Sequence, residues 1–471
     1  MGGRSSADLW TRPSGRLSAR WAESRRAAHA VNPPTRMRAA HAAALIASAA
    51  LIAGAGVTGL LDPAGLTDRD SPALPIAIAF VLIFLILLIV RYVLLLWLGF
   101  LHHMENRASA NDRTPEPPVT IIVPVYNEAT VILSALRSLL ALRYPSLEII
   151  VVDDGSTDRT LERAMSLAGR YADTTLRVVS KANGGKASAL NAGISLARHE
   201  FILCMDGDSR LAPDTLRAAM RHFVDPRVGA VAGNVKVVNR DGVWTRLQAL
   251  EYLEGLNMAR RAQGFLRVVN IIPGPIGVFR RDVLRRVGGY DTDTFAEDAD
   301  LTLKILASGW HIAYEERAIA YTEAPEVFVD LVKQRYRWTR GILQALRKRG
   351  ALLASPRHGG LIWLSLLAML FESVLWPAMN VLGNLLFSLV ALSAANASGV
   401  FYWWVLVTML DVAAALYAVG IEGEDLRLVP YAVLYRFMFI TMIDVAKLFA
   451  TVEEAARVRM TWGKLERAGR I

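Results

Sequence analysis

Apolar positions along this chain fall into long runs near its ends and short ones between. Ala42 to Leu61 and Pro75 to about Leu101 each approach or exceed the roughly 20 residues that cross a hydrocarbon layer. After about residue 358 long runs return as LIWLSLLAMLFESVLWPAMNVLGNLLFSLVAL, FYWWVLVTMLDVAAALYAVG and YAVLYRFMFITMIDVAKLFA. Between these blocks, VTIIVPV (119–125), LEIIVVD (147–153), LRVVS and EFILCMD are short and partly β-branched, which predicts strands. Val131, Leu133, Leu136 and Leu139 have helical spacing, and further helices are expected at 158–170, 186–197 and 212–222. Strand and helix alternation predicts a largely parallel, doubly wound α/β sheet that binds ligands at the carboxyl ends of its strands. The expected organisation is a basic tail (1–38), two membrane helices (39–104), an α/β domain (111–345), carboxyl-terminal membrane helices (358–452) and a second basic tail (453–471).

Composition sharpens this picture. Hydrophobic residues make up 53% of the chain and gather at its ends, the pattern of an integral membrane protein. The net charge of +10 falls to cytoplasmic segments of such a protein, and no basic stripe with interleaved aromatics points to nucleic acid. Arg4, Arg12, Arg16, Arg20, Arg25, Arg26, Arg36 and Arg38 precede the first run and place the amino terminus inside. A second span follows too closely for a signal peptide. Arg457, Arg459, Lys464, Arg467 and Arg470 favour a cytoplasmic carboxyl terminus. That requires an even number of carboxyl-terminal crossings, hence a tight hairpin broken near Pro377. The expected location is the plasma (inner) membrane, multi-pass, with the α/β domain cytoplasmic. Arg91 interrupts the second run, either snorkelling to the headgroups or lining a polar path. Cys204 is the sole cysteine, so no internal disulfide or multi-cysteine zinc site exists.

Four acidic clusters lie where the sheet would present them: Glu128, Asp153 with Asp154, Asp206 with Asp208, and Glu297 with Asp298. Any one alone reads as a turn former or helix cap. Together they repel, and such crowding is best tolerated around a divalent cation and its ligand. The pair in MDGDS can meet a nucleotide and a hard cation at once, because Mg²⁺ or Mn²⁺ prefers carboxylate and phosphate oxygens. Lys186, in NGGKASALN, sits near a helix start, where ammonium and free amide groups can meet phosphate. It is not a P-loop, since position 180 is Ser180 and Ala187 follows the lysine.

PVYNE (124–128), VDDGSTD (152–158), GGKASALN (184–191), DGDS (206–209), AEDADL (296–301) and QRYRW (334–338) occur in that order. Together they resemble the family 2 glycosyltransferases, in particular the processive synthases of cellulose, chitin-like oligomers, hyaluronan and poly-N-acetylglucosamine. The resemblance covers about residues 117–345, with QxxRW near the ED pair its most specific part. It implies a GT-A nucleotide-sugar-binding domain between membrane helices. Tyr126, Glu128, Asp154 and Lys186 would surround the uridine and phosphates of a UDP-sugar, Asp206 would touch the donor, and Asp208 would hold Mg²⁺ or Mn²⁺. Asp298 would be the general base. Gln334, Arg335 and Arg337 would line the diphosphate side, and Glu297 and Trp338 would face the acceptor. Two departures stand out: Ala296 replaces the usual threonine before the ED pair, and PGPIGV precedes FRRDVL.

The expected function is therefore a processive, inverting glycosyltransferase that polymerises a UDP-sugar, with UDP-N-acetylglucosamine favoured, and exports the β-linked chain across the bilayer. Its partners would be the donor, the growing polysaccharide, lipid and a small membrane or periplasmic accessory subunit. A single-sugar transfer to a lipid acceptor is the alternative. QRYRWTRGILQALRKR also reads as a basic amphipathic helix at the membrane surface. An inert sensor is disfavoured, because it has no need of Asp206, Asp208 and Asp298 together.

Overall fold

The computed structural model describes residues 73–108, 116–393 and 397–458. The tail at 1–38, the first apolar run, its Asp62–Asp70 loop and residues 459–471 lie outside the described residues.

The α/β domain is built on a nine-stranded mixed sheet in the order β3-β4-β2-β1-β5-β8-β7-β9-β6. Its strands are β1 (Val119–Val125), β2 (Leu147–Asp153), β3 (Gly169–Tyr171), β4 (Thr174–Ser180), β5 (Phe201–Cys204), β6 (Ser209–Leu211), β7 (Val228–Val237), β8 (Gly277–Arg280) and β9 (His311–Thr322). Every residue of β1 and β2 is buried, which explains why both read as unbroken apolar runs rather than alternating ones. Their polar members satisfy each other, Thr120 Oγ1 donating to Glu148 Oε2 at 2.8 Å. β4, β2, β1 and β5 are parallel, as the alternation predicts. The far half departs from it, with β8 antiparallel to both β5 and β7. The cause is a helical excursion after β7, which returns the chain to the sheet at the same end it left, so that β8 runs back beside β7.

The helices that matter for the site are α1 (Ala73–Ala108), α2 (Ile132–Leu140), α3 (Lys186–Leu196), α4 (Val243–Glu251), α5 (Met258–Phe265), α6 (Glu297–Ala307), α7 (Phe328–Lys348), α8 (Gly360–Leu370), α9 (Trp376–Ser393), α10 (Ala397–Glu422) and α11 (Thr441–Ala455). Among the described residues, three helical stretches are long and apolar enough to cross a membrane: Leu74–Ala108, Gly360–Leu389 and Phe401–Glu422. At about 1.5 Å per residue, α1 is longer than the hydrocarbon layer is thick. Its last turns leave the apolar stretch and dock on the α/β domain, where His102 contacts the Tyr314 carbonyl at 3.1 Å and His103 pairs with Glu316.

The hairpin expected at Pro377 is not formed. Gly360–Leu389 is one continuous span in which a π-helical turn, Phe371–Leu375, links α8 to α9. Pro377 falls in the first turn of α9, where a missing amide proton is least costly, and the wider turn before it accommodates the ring. α10 ends on the domain, with Glu422 accepting from Asn234 at 2.6 Å and paired with the buried Arg261. The remaining segment, Leu426–Leu434 and Met438–Ala455, is bent by 62°. It begins and ends on the domain: Arg246 reaches the Tyr431 hydroxyl at 2.5 Å, and Arg340 reaches Glu454 at 2.9 Å.

Three π-helical turns, Tyr252–Asn257, Phe371–Leu375 and Tyr435–Ile440, meet where the helices join the domain. Each supplies a charge to a polar cluster. Arg91 pairs with Glu372 at 2.6 Å and stacks over Trp376, so this half-buried arginine is held against the neighbouring helix. Tyr92 contacts Glu254 and donates to Asp411, and Arg436 forks onto Asp411 with one bond of 2.7 Å. Arg436 and Asp411 are 2% and 0% exposed, so neither charge can turn to solvent. Asp411→Asn leaves a buried guanidinium without its counter-charge and should cost about 3–5 kcal/mol. A marked fall of the thermal unfolding midpoint in detergent, against little change for the exposed Arg227→Lys, is the expected result.

Candidate active site

The site forms where loops leave β1, β2 and β5 and meet the start of α6. After β1, Asn127 adopts a left-handed conformation (φ 54°) and its side-chain oxygen accepts from the Thr157 amide at 2.8 Å. The Glu128 amide donates to Thr160 Oγ1 at 2.7 Å. PVYNE and VDDGSTD are thereby stitched together, with Tyr126 exposed on the rim. After β2, Asp154 is buried and accepts from the Gly185 amide at 2.7 Å, the Gly184 amide at 3.1 Å and Lys181 Nζ at 2.6 Å. These bonds hold the glycine loop whose next residue, Lys186, opens α3. Asp153 takes the Ser180 hydroxyl at 2.9 Å.

Lys186 Nζ lies 2.7 Å from Asp206 and 2.7 Å from Glu297, joining the DGDS and AEDADL motifs through one ammonium. Gly274 makes this approach possible: a Cβ there would stand 2.7 Å from Asp206 Oδ2 and 2.9 Å from Lys186 Nζ. The unusual PGPIGV segment is thus a wall of the cleft. Lys186, Asp206, Glu297 and Asp298 line it together, with Cys204 and Tyr290 behind. Burial pushes the Cys204 thiol up to about 12, which leaves it inert as a nucleophile at neutral pH.

Burial opposes the Lys186 ammonium, but Asp206, Glu297 and Asp298 outweigh it and hold the group charged. Burial and the negative charge of Glu297 raise Asp298 to about 6, against the opposing effect of Lys186. Its Oδ1 accepts from the Ala299 amide in the first turn of α6. Burial also raises Asp206, and the neighbouring charge of Asp208 adds to it. Asp208 is 9% exposed and lies just before β6, outside the lining of the Lys186 cleft. A carboxylate raised by burial and by a neighbouring carboxylate suits a divalent cation, so the donor set fits Mg²⁺ or Mn²⁺.

α7 carries QRYRW past the start of α6. The two helices touch at Gly341, where a Cβ would meet the Ala296 Cβ at 2.6 Å. The small residue at 296 and the glycine at 341 therefore form one close crossing. Arg337 and Trp338 are half-buried, and Gln334 is buried. Arg335, expected on the diphosphate side, is 2% exposed and forks instead onto Glu251 of α4, with Nε to Oε1 at 3.0 Å. The carboxylates that converge most closely among the described residues are Asp291, Asp293 and Asp300, away from DGDS. Lys304, Lys348 and Arg349 neutralise them, and Arg349 reaches Asp300 at 2.9 Å. Sequence reasoning assigned no role to Glu251, Asp300 or Glu454. Glu251 and Glu454 are ordinary acidic residues in their local sequence, Asp300 falls within AEDADL beside the ED pair, and each is marked by its distant arginine partner.

Residues 117–341 match the family described as glycosyltransferase like family 2. Over 224 residues the chain is 33% identical to a poly-beta-1,6-N-acetyl-D-glucosamine synthase of Staphylococcus epidermidis and 34% identical to one of Staphylococcus aureus, covering 47% of this chain and 54% of each relative. The chain spans about half the length of the curated relatives it matches. Among solved structures it is similar to the mannosyltransferase PcManGT from Pyrobaculum calidifontis in complex with GDP-Man and Mn²⁺. That likeness has a TM-score of 0.56 and 23% identity, covers 82% of this chain and 99% of the other, and speaks to the fold. Residues 117–341 are a glycosyltransferase family 2 domain of GT-A fold, flanked on both sides by helices long and apolar enough to cross a membrane.

Proposed function

We propose that the chain is a processive, inverting glycosyltransferase of the membrane that polymerises UDP-N-acetylglucosamine into a β-linked polysaccharide and passes it through the helical bundle. The observation that carries this reading is a half-buried aspartate at the start of α6, raised to about 6, in one cleft with Lys186 and Asp206. The names of the Staphylococcus relatives support the choice of sugar.

In this reading Tyr126 and Glu128 flank the uridine, while Asp154 keeps the glycine loop in place so that Lys186 meets phosphate. Glu297 sits between donor and acceptor, and Gln334 and Arg337 close the diphosphate side. Asp298, as carboxylate, takes the proton from an acceptor hydroxyl while that oxygen attacks the anomeric carbon and the bond to the diphosphate breaks. The departing oxygen keeps the bonding electrons, and the cations of Lys186 and Arg337 favour the charge it gains. A divalent ion held by Asp208, with Asp206 beside it, would supply further charge stabilisation to the leaving diphosphate. Trp338 offers a flat apolar face to the C–H surface of the acceptor sugar.

A base with a pKa near 6 must lose its proton to act. The logarithm of kcat/KM should therefore climb as pH rises through about 6 and level off above it. Asp298→Asn should retain donor binding and lose about 10²–10⁴-fold in transfer; near wild-type turnover in that variant would exclude the assigned base. Trp338→Ala should impair elongation more than donor hydrolysis, and equal loss of both would count against an acceptor platform. Excess chelator should stop transfer, whereas full activity in its presence would remove the cation from the reaction.

A further inference from the structure

Glu251 stands at the end of α4, immediately before the π-helical turn Tyr252–Asn257, and no motif of the sequence includes it. Its carboxylate takes the Arg335 guanidinium edge-on through two bonds, from Nε and from Nη2. A third edge of the same group, Nη1, donates to Gln334 Oε1 at 2.5 Å. With its edges so occupied, the guanidinium has a fixed plane, and that plane lies against Trp338, the guanidinium carbon being 4.2 Å from the ring centroid. Arg335 and Trp338 are three residues apart on α7, the spacing that brings side chains onto one helix face. Tyr252, next to Glu251, tilts against the same indole at 58°, with centroids 6.4 Å apart. One end of α4 thus braces both residues of the pair.

We propose that Glu251 is a positioning residue for acceptor binding: by clamping Arg335 edge-on, it fixes the angle at which Trp338 presents its indole to the acceptor sugar. The proposal rests on reading Trp338 as the acceptor platform. Two parallel bonds to a planar fork set orientation as well as distance, which a lysine ammonium at 335 could not do. One face of the indole carries the guanidinium, and the opposite face is the one a pyranose ring would use. Arg335 also reaches Gln334 on the diphosphate side, but through Nη1, an edge that loss of the Glu251 fork leaves in place, so the effect of Glu251 falls on the acceptor side.

The test uses the full chain in detergent or nanodiscs with UDP-N-acetylglucosamine and short N-acetylglucosamine oligomers as acceptors. Glu251→Gln should raise the acceptor KM about tenfold and shorten the product, with donor KM and donor hydrolysis within about twofold of wild type. Glu251→Asp, which keeps the charge, should recover most of the acceptor affinity. Arg335→Lys should mimic Glu251→Gln, and the double variant should be no worse than either single one, because both remove the same fork. Direct binding of an oligomer, measured without donor, should weaken in parallel. Equal loss of hydrolysis and elongation in Glu251→Gln, or unchanged oligomer binding, would overturn the proposal. A wild-type chain that adds one sugar and stops would contradict the processive reading instead, while oligomer binding would still decide the role of Glu251.

Discussion

One ammonium holds the site together. Lys186 sits 2.7 Å from carboxylates contributed by two distant parts of the chain, Asp206 after β5 and Glu297 at the start of α6. Without it, Asp206, Glu297 and Asp298 would face one another across a buried cleft, and like charges that close cannot all stay ionised. The lysine owes its place to Asp154, which binds two backbone amides of the preceding glycine loop. Asp154, expected near the donor, thus also holds the loop that sets the cation of the cleft. Burial and the same electrostatic crowding raise Asp298 to about 6, which leaves it largely ionised near neutral pH and more basic than an ordinary carboxylate, as the proposed proton transfer needs.

The cleft is tied to the helical bundle by buried ion pairs rather than by apolar contact alone. Arg340 on α7 pairs with Glu454 at the end of α11, and Arg347 reaches the same carboxylate at 2.7 Å. Next to Arg347 at the carboxyl end of α7, Lys348 and Arg349 grip Asp300 on α6, two residues from Asp298. Asp298, α7 and the last helical segment are thus linked through ion pairs into one connected body. Arg340, Glu454 and Asp300 are buried and each is held by two oppositely charged partners, so moving one helix away from another would strand a buried charge. The polar cluster around Arg436 and Asp411 continues the connection towards the apolar helices.

Much of this was legible because local sequence encodes it. β1 and β2 are covered on both faces, so their limits show as uninterrupted apolar runs. Lys186, Asp206, Glu297 and Asp298 announced themselves through spacing and order, and the structure gathers all four in one cleft. What escaped depends on partners far along the chain. β7, with the sequence VGAVAGNVKV, carries Asn234 and Lys236 in a buried strand, and both answer to Glu422 nearly two hundred residues away. Arg335 read as a donor ligand by motif, whereas Glu251, 84 residues upstream, takes its fork. Pro377 read as a hairpin, but a π-helical turn just before it lets the helix run on.

The central claim is that this cleft forms β-glycosidic bonds repeatedly, with inversion at the donor carbon. The most direct measurement is the anomeric configuration and length of the product that the purified, lipid-embedded chain makes from UDP-N-acetylglucosamine, read by proton NMR and size separation. The account predicts β-linked chains many sugars long. An α-linked product, or a product that stops after one sugar, would contradict it.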